Sequence, residues 1–199
     1  MKNILHIITS PRGAQSYSIQ LGNALTEKLA TANPGSNVTE LNLADNPYDH
    51  ISGDVISAFF TPHDQLNDGQ KEIIQPSNDA VQQLLDTDIL VIGLPLYNLG
   101  IPSNLKSWLD NVVRAGKTFA YSAEGPKGLL EGKTVYIAVA SGGVYSEGPF
   151  KAFDFIEPYL RGTLGFIGIT DVHFVRAEGT SRPELQENAV SKALGAVAV

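Results

Sequence analysis

Apolar residues follow two alternating patterns along the chain. Five short segments, most of them apolar throughout, cover residues 3–9, 37–43, 89–94, 134–140 and 171–177. Runs of this kind are typical of strands that are buried on both faces of a parallel sheet. Between these segments, apolar residues recur every three or four positions, which is the period of an amphipathic helix. The alternation predicts an α/β fold, in which a doubly wound parallel sheet carries helices on both faces.

Two helices and an insertion are expected in the first half of the chain. The first helix begins at Ser16 and ends near residues 33–35, and its apolar residues recur every fourth position. A second helix lies within residues 65–85, where Pro76 is a potential break or kink. Residues 44–66 show no clear period and are interpreted as an insertion.

Three helices are expected in the second half. The clearest has apolar residues at helical spacing over 105–113, with Gly116 as its C-cap. An aromatic-rich helix is predicted over residues 149–164. The last helix is predicted to begin with a capping box, in which Ser181 is the N-cap and Glu184 follows three residues later.

The number of strands indicates a strand order and a location for a site. With 199 residues, the chain suits a single domain over residues 1–199. Five strands favour the flavodoxin-like order 2-1-3-4-5, counted along the sheet. Ligands of such sheets bind beyond the carboxyl ends of the strands, where the strand order reverses. The candidate site therefore comprises the loops after the first, third and fourth strands.

Composition excludes several classes of function. The formal net charge is -7 and no run of Lys or Arg occurs, so no nucleic-acid surface is expected. The absence of cysteine excludes disulfides and thiol catalysis and fits a cytoplasmic location. The four histidines are dispersed without the spacing of metal ligands, so no metal site is expected. No apolar segment approaches the length of a membrane span or of a signal peptide.

The loop after the first strand is rich in hydroxyl groups. It extends from Ser10 to Ser18 and leads into a predicted helix. The hydroxyls, the N–H groups of the first helical turn and the helix dipole would together suit a phosphate monoester. Capping of the helix by Ser16 or Ser18 explains the same residues about equally well, so the loop alone leaves both interpretations open.

Sequence motifs of other phosphate and nucleophile sites do not occur here. The chain has neither the Gly-Lys-Ser/Thr of a Walker A loop nor a Gly-x-Gly-x-x-Gly dinucleotide fingerprint. Ser141 lacks the Gly-x-Ser-x-Gly context of a hydrolase nucleophile. A phosphate held by hydroxyls and amides at this edge of the sheet is consistent with flavin mononucleotide (FMN).

The loops after the third and fourth strands suit a flat ring. Residues 93–102 combine two prolines with Tyr97 and Asn98, which are flanked by leucines. Residues 140–143, Ala-Ser-Gly-Gly, offer accessible backbone N–H groups to a ligand. Four aromatic residues in or beside predicted loops at this end are expected to line a substrate site. They are Phe119, Tyr121, Tyr145 and Phe166.

Several motifs occur together and in order. Ser-Pro-Arg-Gly and Ser-Tyr-Ser follow the first strand, Pro-Leu-Tyr-Asn the third and Ser-Gly-Gly the fourth, and residues 164–169 precede the fifth. In this combination the chain resembles the bacterial FMN-dependent NADH-azoreductases, which are NAD(P)H:quinone oxidoreductases, over nearly its whole length. It departs from the pattern at two points: some relatives have Ser-Arg-Gly-Gly over 140–143, and Leu99 occupies the place of an aromatic residue.

The resemblance implies a set of FMN-binding residues. Ser10 and residues 16–18 would hold the phosphate, residues 96–99 would line the isoalloxazine ring, and residues 140–143 would meet its pyrimidine side. The full set is Ser10, Ser16, Tyr17, Ser18, Leu96, Tyr97, Asn98, Leu99, Ala140, Ser141, Gly142 and Gly143. No catalytic side chain is required, because the flavin carries the chemistry.

The expected function is reduction of quinones and azo compounds by NADH or NADPH through FMN. Ping-pong kinetics are expected, because the sequence shows no second dinucleotide site. The competing hypothesis is a flavodoxin that carries single electrons between protein partners. A homodimer is expected from the resemblance and from aromatic residues that exceed the needs of one small core, which are Phe59, Phe60, Phe150, Phe153 and Phe155.

Overall fold

The computed structural model describes residues 1–197, which form a parallel sheet between two layers of helices. The strands are β1 (Asn3–Ile8), β2 (Asn37–Asn42), β3 (Ile89–Pro95), β4 (Phe119–Ser122), β5 (Gly125–Gly128), β6 (Thr134–Ala140) and β7 (Asp171–Ala177). The helices are α1 (Tyr17–Ala32), α2 (Gly53–Phe60), α3 (Asp68–Leu85), α4 (Ser103–Val112), α5 (Ile156–Phe166), α6 (Pro183–Gln186) and α7 (Ala189–Gly195).

The main sheet has the order β2-β1-β3-β6-β7, and all its strand pairs are parallel. Strands β4 and β5 form a separate antiparallel hairpin. Counted along the sheet alone, the order is the predicted 2-1-3-4-5, so the fold prediction is confirmed. The hairpin itself was not predicted from the sequence, because its four-residue strands are too short to show a period.

Two hydrophobic cores cover the two faces of the sheet. On one face, Leu5 and Ile7 of β1 pack in the core that contains Trp108 of α4 and residues of α3 and α5. On the other face, Ile4 packs with Leu21 of α1 and with residues of α7. Successive side chains of a strand point to opposite faces, so a strand covered on both sides is apolar throughout. This pattern holds for the inner strands, whereas the edge strand β2 is mostly exposed.

The segment interpreted as an insertion contains regular structure. Helix α2 occupies residues 53–60, and a 3-10 turn follows at His63–Gln65. Ser52 begins α2 by accepting a hydrogen bond from the Val55 N–H at 3.3 Å. The guanidinium of Arg114 lies 3.4 Å from the centre of the Phe59 ring, and its Nη1 donates to Ser77 Oγ at 2.5 Å. Phe59 is therefore part of an internal contact between α2, α3 and the end of α4.

Helix α3 runs without interruption through Pro76, so the proline does not divide the helix. Pro76 lies on the exposed side of the helix, where water can bond to the carbonyl that the proline leaves without a donor. The helix begins at a capping box in which Asn67 Oδ1 accepts from the Gln70 N–H at 2.9 Å.

Helix ends differ from prediction at two places. Helix α4 ends at Val112, and Gly116 is not its C-cap; the Gly116 N–H instead donates to the Phe119 carbonyl at 2.7 Å, in the turn that enters the hairpin. The aromatic segment predicted as one helix over 149–164 is a 3-10 turn at Gly148–Phe153 followed by α5. Asp154 separates the two, because its Oδ1 accepts hydrogen bonds from the first N–H groups of α5.

The predicted capping box at the last helix is wrong. Arg182 precedes α6, no side chain caps that helix, and a break at residues 187–188 separates α6 from α7. Ser181 instead takes part in a contact between loops, because its N–H donates to the Gly142 carbonyl at 3.2 Å. Ala189 and Ala193 do face the core as the periodicity predicted.

Among the helices of residues 1–197, none combines the length and the hydropathy that crossing a membrane requires.

Candidate functional site

A cavity of about 140 Å³ lies at the carboxyl ends of β1, β3 and β6. The residues that line it are Ser10, Arg12, Ser16, Tyr17, Ser18, Pro95, Leu96, Tyr97, Ala140, Ser141, Gly142, Thr180 and Ser181. The three loops singled out in the sequence thus meet at one place. Asn98, Leu99 and Gly143 belong to the same loops but do not line the cavity.

Ser16 and Ser18 lie at the start of α1 with buried side chains. Their Oγ atoms are 3.0 Å apart and share a hydrogen bond. Ser16 occupies the N-cap position, yet its side chain accepts no hydrogen bond from the helix. No acidic residue occupies the first turn. Two hydroxyls therefore meet at the positive end of the helix dipole, and helix capping does not explain Ser16.

Arg12 supplies the positive charge among the lining residues. Its backbone N–H is 3.4 Å from Ser10 Oγ, which accepts the hydrogen bond, and its side chain is exposed. A 3-10 turn at Gly13–Gln15 follows and leads into α1, with Gly13 at a φ of 56°. Arg12 is not among the site residues predicted from the sequence, although it lies in the hydroxyl-rich loop after β1.

The loop after β3 has a strained backbone. Asn98 and Leu99 have φ values of 47° and 71°, in the left-handed region that costs a residue other than glycine about 1–3 kcal/mol. Two backbone hydrogen bonds between Tyr97 and Gly100, at 3.0 and 3.1 Å, close this tight turn. The Leu96 N–H donates to the Ala140 carbonyl at 2.8 Å and ties the turn to the loop after β6.

The loop after β6 is held by the loop after β7. Within the first loop, Ser141 Oγ donates to the Gly143 carbonyl at 2.8 Å. Between the loops, the N–H groups of residues 179–181 donate to the carbonyls of residues 141–143 at 3.0–3.2 Å. Strand β7 ends at the same edge of the sheet as β6, so its loop could have been included in the candidate site from the predicted topology.

Glu178 fixes the second half of the loop after β6. Its Oε1 accepts hydrogen bonds from the N–H groups of Tyr145 and Ser146, at 2.7 and 2.9 Å. Its Oε2 bonds to Ser146 Oγ. The Tyr145 ring in turn lies over Gly143, where an added Cβ would come within 3.1 Å of it. No sequence pattern pointed to Glu178, because the bonds join residues that are 32 and 33 positions apart in the chain.

The four aromatic residues predicted to line a substrate site lie in two clusters, and none of them lines the cavity. Phe119 packs on Tyr121 and Phe166, with ring centres 5.4 and 4.6 Å apart. Tyr145 lies 6.2 Å from the Phe150 ring in a different place. A role for any of them with a substrate stays a prediction.

His6 lies in the core behind the site. It is buried, and burial lowers its pKa to about 4. Its Nε2 occupies the space beside Gly22, where a Cβ would come within 2.5 Å. At Gly93, a Cβ would come within 3.0 Å of the Ser18 carbonyl. Small residues on α1 and β3 thus allow the first turn of α1 to lie close against the sheet.

Other features offer less suitable chemistry. A cavity of about 860 Å³ lies between residues 46–52, α2 and α3, and includes Tyr48 and Asp79. Burial and the charge of Asp79 raise the pKa of Tyr48. This cavity does not lie where the strand order reverses, and it has no loop of serine hydroxyls. Within residues 1–197, no three acidic or histidine side chains are grouped as metal ligands would be.

The sheet order, with a cavity beyond the carboxyl ends of the strands, is that of a flavodoxin-like protein. A family model described as a flavodoxin-like fold matches residues 2–198. A structure of an azoreductase from Bacillus anthracis str. Sterne superposes with a TM-score of 0.90 at 32% identity, covering 98% of this chain and 96% of that one.

Relatives of similar length identify the family more closely. An FMN-dependent NADH:quinone oxidoreductase of Herminiimonas arsenicoxydans is 46% identical over 194 residues, which are 98% of this chain and 94% of the relative. The structure of an FMN-dependent NADH-azoreductase from Bacillus anthracis str. Ames Ancestor, in complex with FMN, has a TM-score of 0.87 and 29% identity, covering 98% of this chain and 97% of that one. The chain therefore belongs to the flavodoxin-like family of FMN-dependent NADH:quinone oxidoreductases and azoreductases.

Proposed function

We propose that this protein is an FMN-dependent oxidoreductase that uses NADH to reduce quinones and azo compounds. The names of the relatives support the enzyme over a flavodoxin that carries single electrons. The observation that carries the proposal is the buried pair of hydroxyls, Ser16 and Ser18, at the start of α1 inside the cavity.

These residues fit the phosphate of FMN. A phosphate dianion is stabilised by hydrogen-bond donors. Here the donors would be the hydroxyls of Ser10, Ser16 and Ser18 and the N–H groups of the first turn of α1. Among the residues that line the cavity, Arg12 alone carries a positive charge, and its exposed side chain could pair with the dianion. Ser10, Ser16, Tyr17 and Ser18 would thus hold this end of the cofactor.

The remaining loops fit the flavin ring. The cavity of about 140 Å³ is smaller than the roughly 300–1,000 Å³ of typical ligand pockets, so part of the cofactor would remain outside it. Residues 96–99 offer a stiff, partly apolar turn for one side of a ring. In the described residues, the N–H groups of Gly142 and Gly143 donate to no protein acceptor, so they are free to bond the polar edge of the ring.

When bound, FMN would accept a hydride from NADH and transfer it to the acceptor. The protein would orient the ring through residues 96–99 and place the N–H donors of Gly142 and Gly143 near the negative charge of the reduced ring. No side chain acts as an acid or base in this proposal. Tyr121, Tyr145 and Phe166 are candidates for contacts with a planar acceptor, and Phe119 supports two of them.

Ping-pong kinetics are part of the proposal, because one exposed ring face would serve NADH and the acceptor in turn. A homodimer is also proposed, since Phe60, Phe150, Phe153 and Phe155 remain exposed on one chain. Phe59, in contrast, is engaged by Arg114 and gives no support to a dimer. We place the activity in the cytoplasm, where NADH is available.

The decisive experiment follows the cofactor and its reduction. The purified protein is expected to show the absorbance of an oxidised flavin, to release FMN on heating, and to lose that absorbance when NADH is added without oxygen. Steady oxidation of NADH with a small quinone would follow. Protein that binds FMN but turns over no quinone would instead indicate an electron carrier, and protein without affinity for FMN would contradict both functions.

A further inference from the structure

The loop after β7 contributes two hydroxyl residues to the cavity, and their hydrogen bonding differs. Thr180 Oγ1 is 3.1 Å from the Ser141 carbonyl and donates to it. Ser181 Oγ forms no hydrogen bond with any protein group of residues 1–197, although its residue lines the cavity. The hydroxyl of Ser181 is therefore available to a ligand.

Gly142 fixes where this hydroxyl lies. A Cβ at Gly142 would come within 2.5 Å of Ser181 Oγ, so the hydroxyl occupies space that any residue other than glycine would fill. The Ser181 N–H also donates to the Gly142 carbonyl at 3.2 Å. Ser181 Oγ is thus held directly against the Gly142 backbone, whose N–H is unpaired within the described residues.

The hydroxyls of Ser141 and Ser181, two residues that line the cavity, differ in their hydrogen bonding. Ser141 is buried, and its Oγ donates to the carbonyl of Gly143. The Ser141 backbone is engaged as well, because its N–H donates to the Ala177 carbonyl at 3.1 Å and its carbonyl accepts from Thr180. Ser181 differs, because its backbone N–H is used within the protein and its side chain is free.

We propose that Ser181 is a cofactor-binding residue, whose hydroxyl joins the N–H groups of Gly142 and Gly143 as a donor to the polar edge of the bound flavin ring. This inference rests on the proposed function. A hydroxyl donor stabilises an acceptor more when the acceptor carries negative charge. The ring gains an electron pair and negative charge on reduction, so Ser181 binds reduced FMN more tightly than oxidised FMN and raises its reduction potential.

Replacement of one side chain tests the inference. Ser181→Ala removes Oγ and keeps Cβ, so the stability of the apoprotein is expected to stay unchanged. Titration of apoprotein with FMN, followed by quenching of flavin fluorescence, is expected to show a Kd roughly three- to tenfold higher. The midpoint potential of bound FMN is expected to fall by about 30 mV, which corresponds to a tenfold loss of affinity for the reduced form relative to the oxidised form.

A matched control is Ser191→Ala, which removes the same group from α7, outside the cavity. It is expected to leave both quantities unchanged. If Ser181→Ala lowers the stability of the apoprotein, the midpoint potential still tests the inference. A loss of stability alone does not alter the affinity for reduced FMN relative to oxidised FMN. A variant with the wild-type potential would overturn the inference. Failure of the wild-type protein to bind FMN would instead refute the proposed function.

Discussion

Ser16 and Ser18 share a hydrogen bond of 3.0 Å between two buried hydroxyls, in a helix turn where neither is needed as a cap. We expect a phosphate to replace this mutual bond with two charge-assisted ones. The double variant Ser16→Ala, Ser18→Ala should therefore bind FMN more weakly by about 1–3 kcal/mol, measured by titration of apoprotein. Riboflavin, which lacks the phosphate, serves as the control ligand and should be affected little. Equal affinity of variant and wild type for FMN would rule out this phosphate site.

Glu178 is expected to stabilise the loop over residues 141–146. Glu178→Ala removes the acceptor of three hydrogen bonds and leaves the N–H groups of Tyr145 and Ser146 without it. The free energy of unfolding in urea should fall by about 1–3 kcal/mol. The affinity for FMN should fall as well, because the glycine loop loses its support. Glu147→Ala is the matched control, since Glu147 is exposed in the same loop; if both variants lose equal stability, Glu178 has no special role.

Protonation of His6 is expected to oppose folding. Burial lowers the pKa of His6 to about 4, whereas an unfolded chain binds this proton near pH 6.5. Between these values the unfolded state carries the extra proton, so the contribution of His6 to stability is present above pH 6.5 and is lost as the pH falls toward 4. The loss amounts to about 1.4 kcal/mol per pH unit. Urea unfolding of apoprotein at several pH values should show a shallower dependence in His6→Gln than in wild type, and no such change in His63→Gln, which alters an exposed histidine.

Self-association is expected to involve the exposed aromatic residues. The purified protein should have twice the 21.3 kDa mass of one chain at micromolar concentration in light scattering. Phe60 is 81% exposed on α2, and Phe155 is 54% exposed just before α5. If α2 contacts the partner subunit, Phe60→Ser should raise the dimer dissociation constant. If the segment before α5 makes that contact, Phe155→Ser should raise it. A monomer with full activity would contradict the prediction.

The sheet and the meeting of three loops at one cavity could be predicted from the sequence, because their signals are local. Buried parallel strands are apolar throughout, and a fixed strand order determines which loops meet. Features that depend on contacts between distant segments could not be found this way. The hydrogen bonds from Glu178 to residues 145–146 and the packing of Ser181 on Gly142 leave no pattern at helix or strand spacing.

Local signals also misled in two places. Ser181 and Glu184 have the spacing of a capping box, but Ser181 instead contacts the glycine loop and the helix begins at residue 183. The aromatic segment around residue 153 is predicted as part of one helix, but Asp154 accepts hydrogen bonds from the N–H groups of α5 and starts a new helix there. In both cases the start of the helix depends on a hydrogen bond that the spacing of apolar residues does not reveal.

Ping-pong kinetics are expected from the proposed function, because the proposed site would hold one phosphate and would leave part of the flavin outside. The sequence has no dinucleotide fingerprint, and the phosphate of FMN would occupy the hydroxyl pair of Ser16 and Ser18. NADH and a planar acceptor would then compete for the same exposed ring face, and oxidised nicotinamide must leave before the acceptor enters. Cleavage of an azo bond takes four electrons and hence two such cycles. Double-reciprocal plots against NADH at several fixed quinone concentrations should be parallel, and excess quinone should inhibit competitively with NADH. Intersecting lines would mean that both substrates bind at one flavin together, and would contradict a shared site.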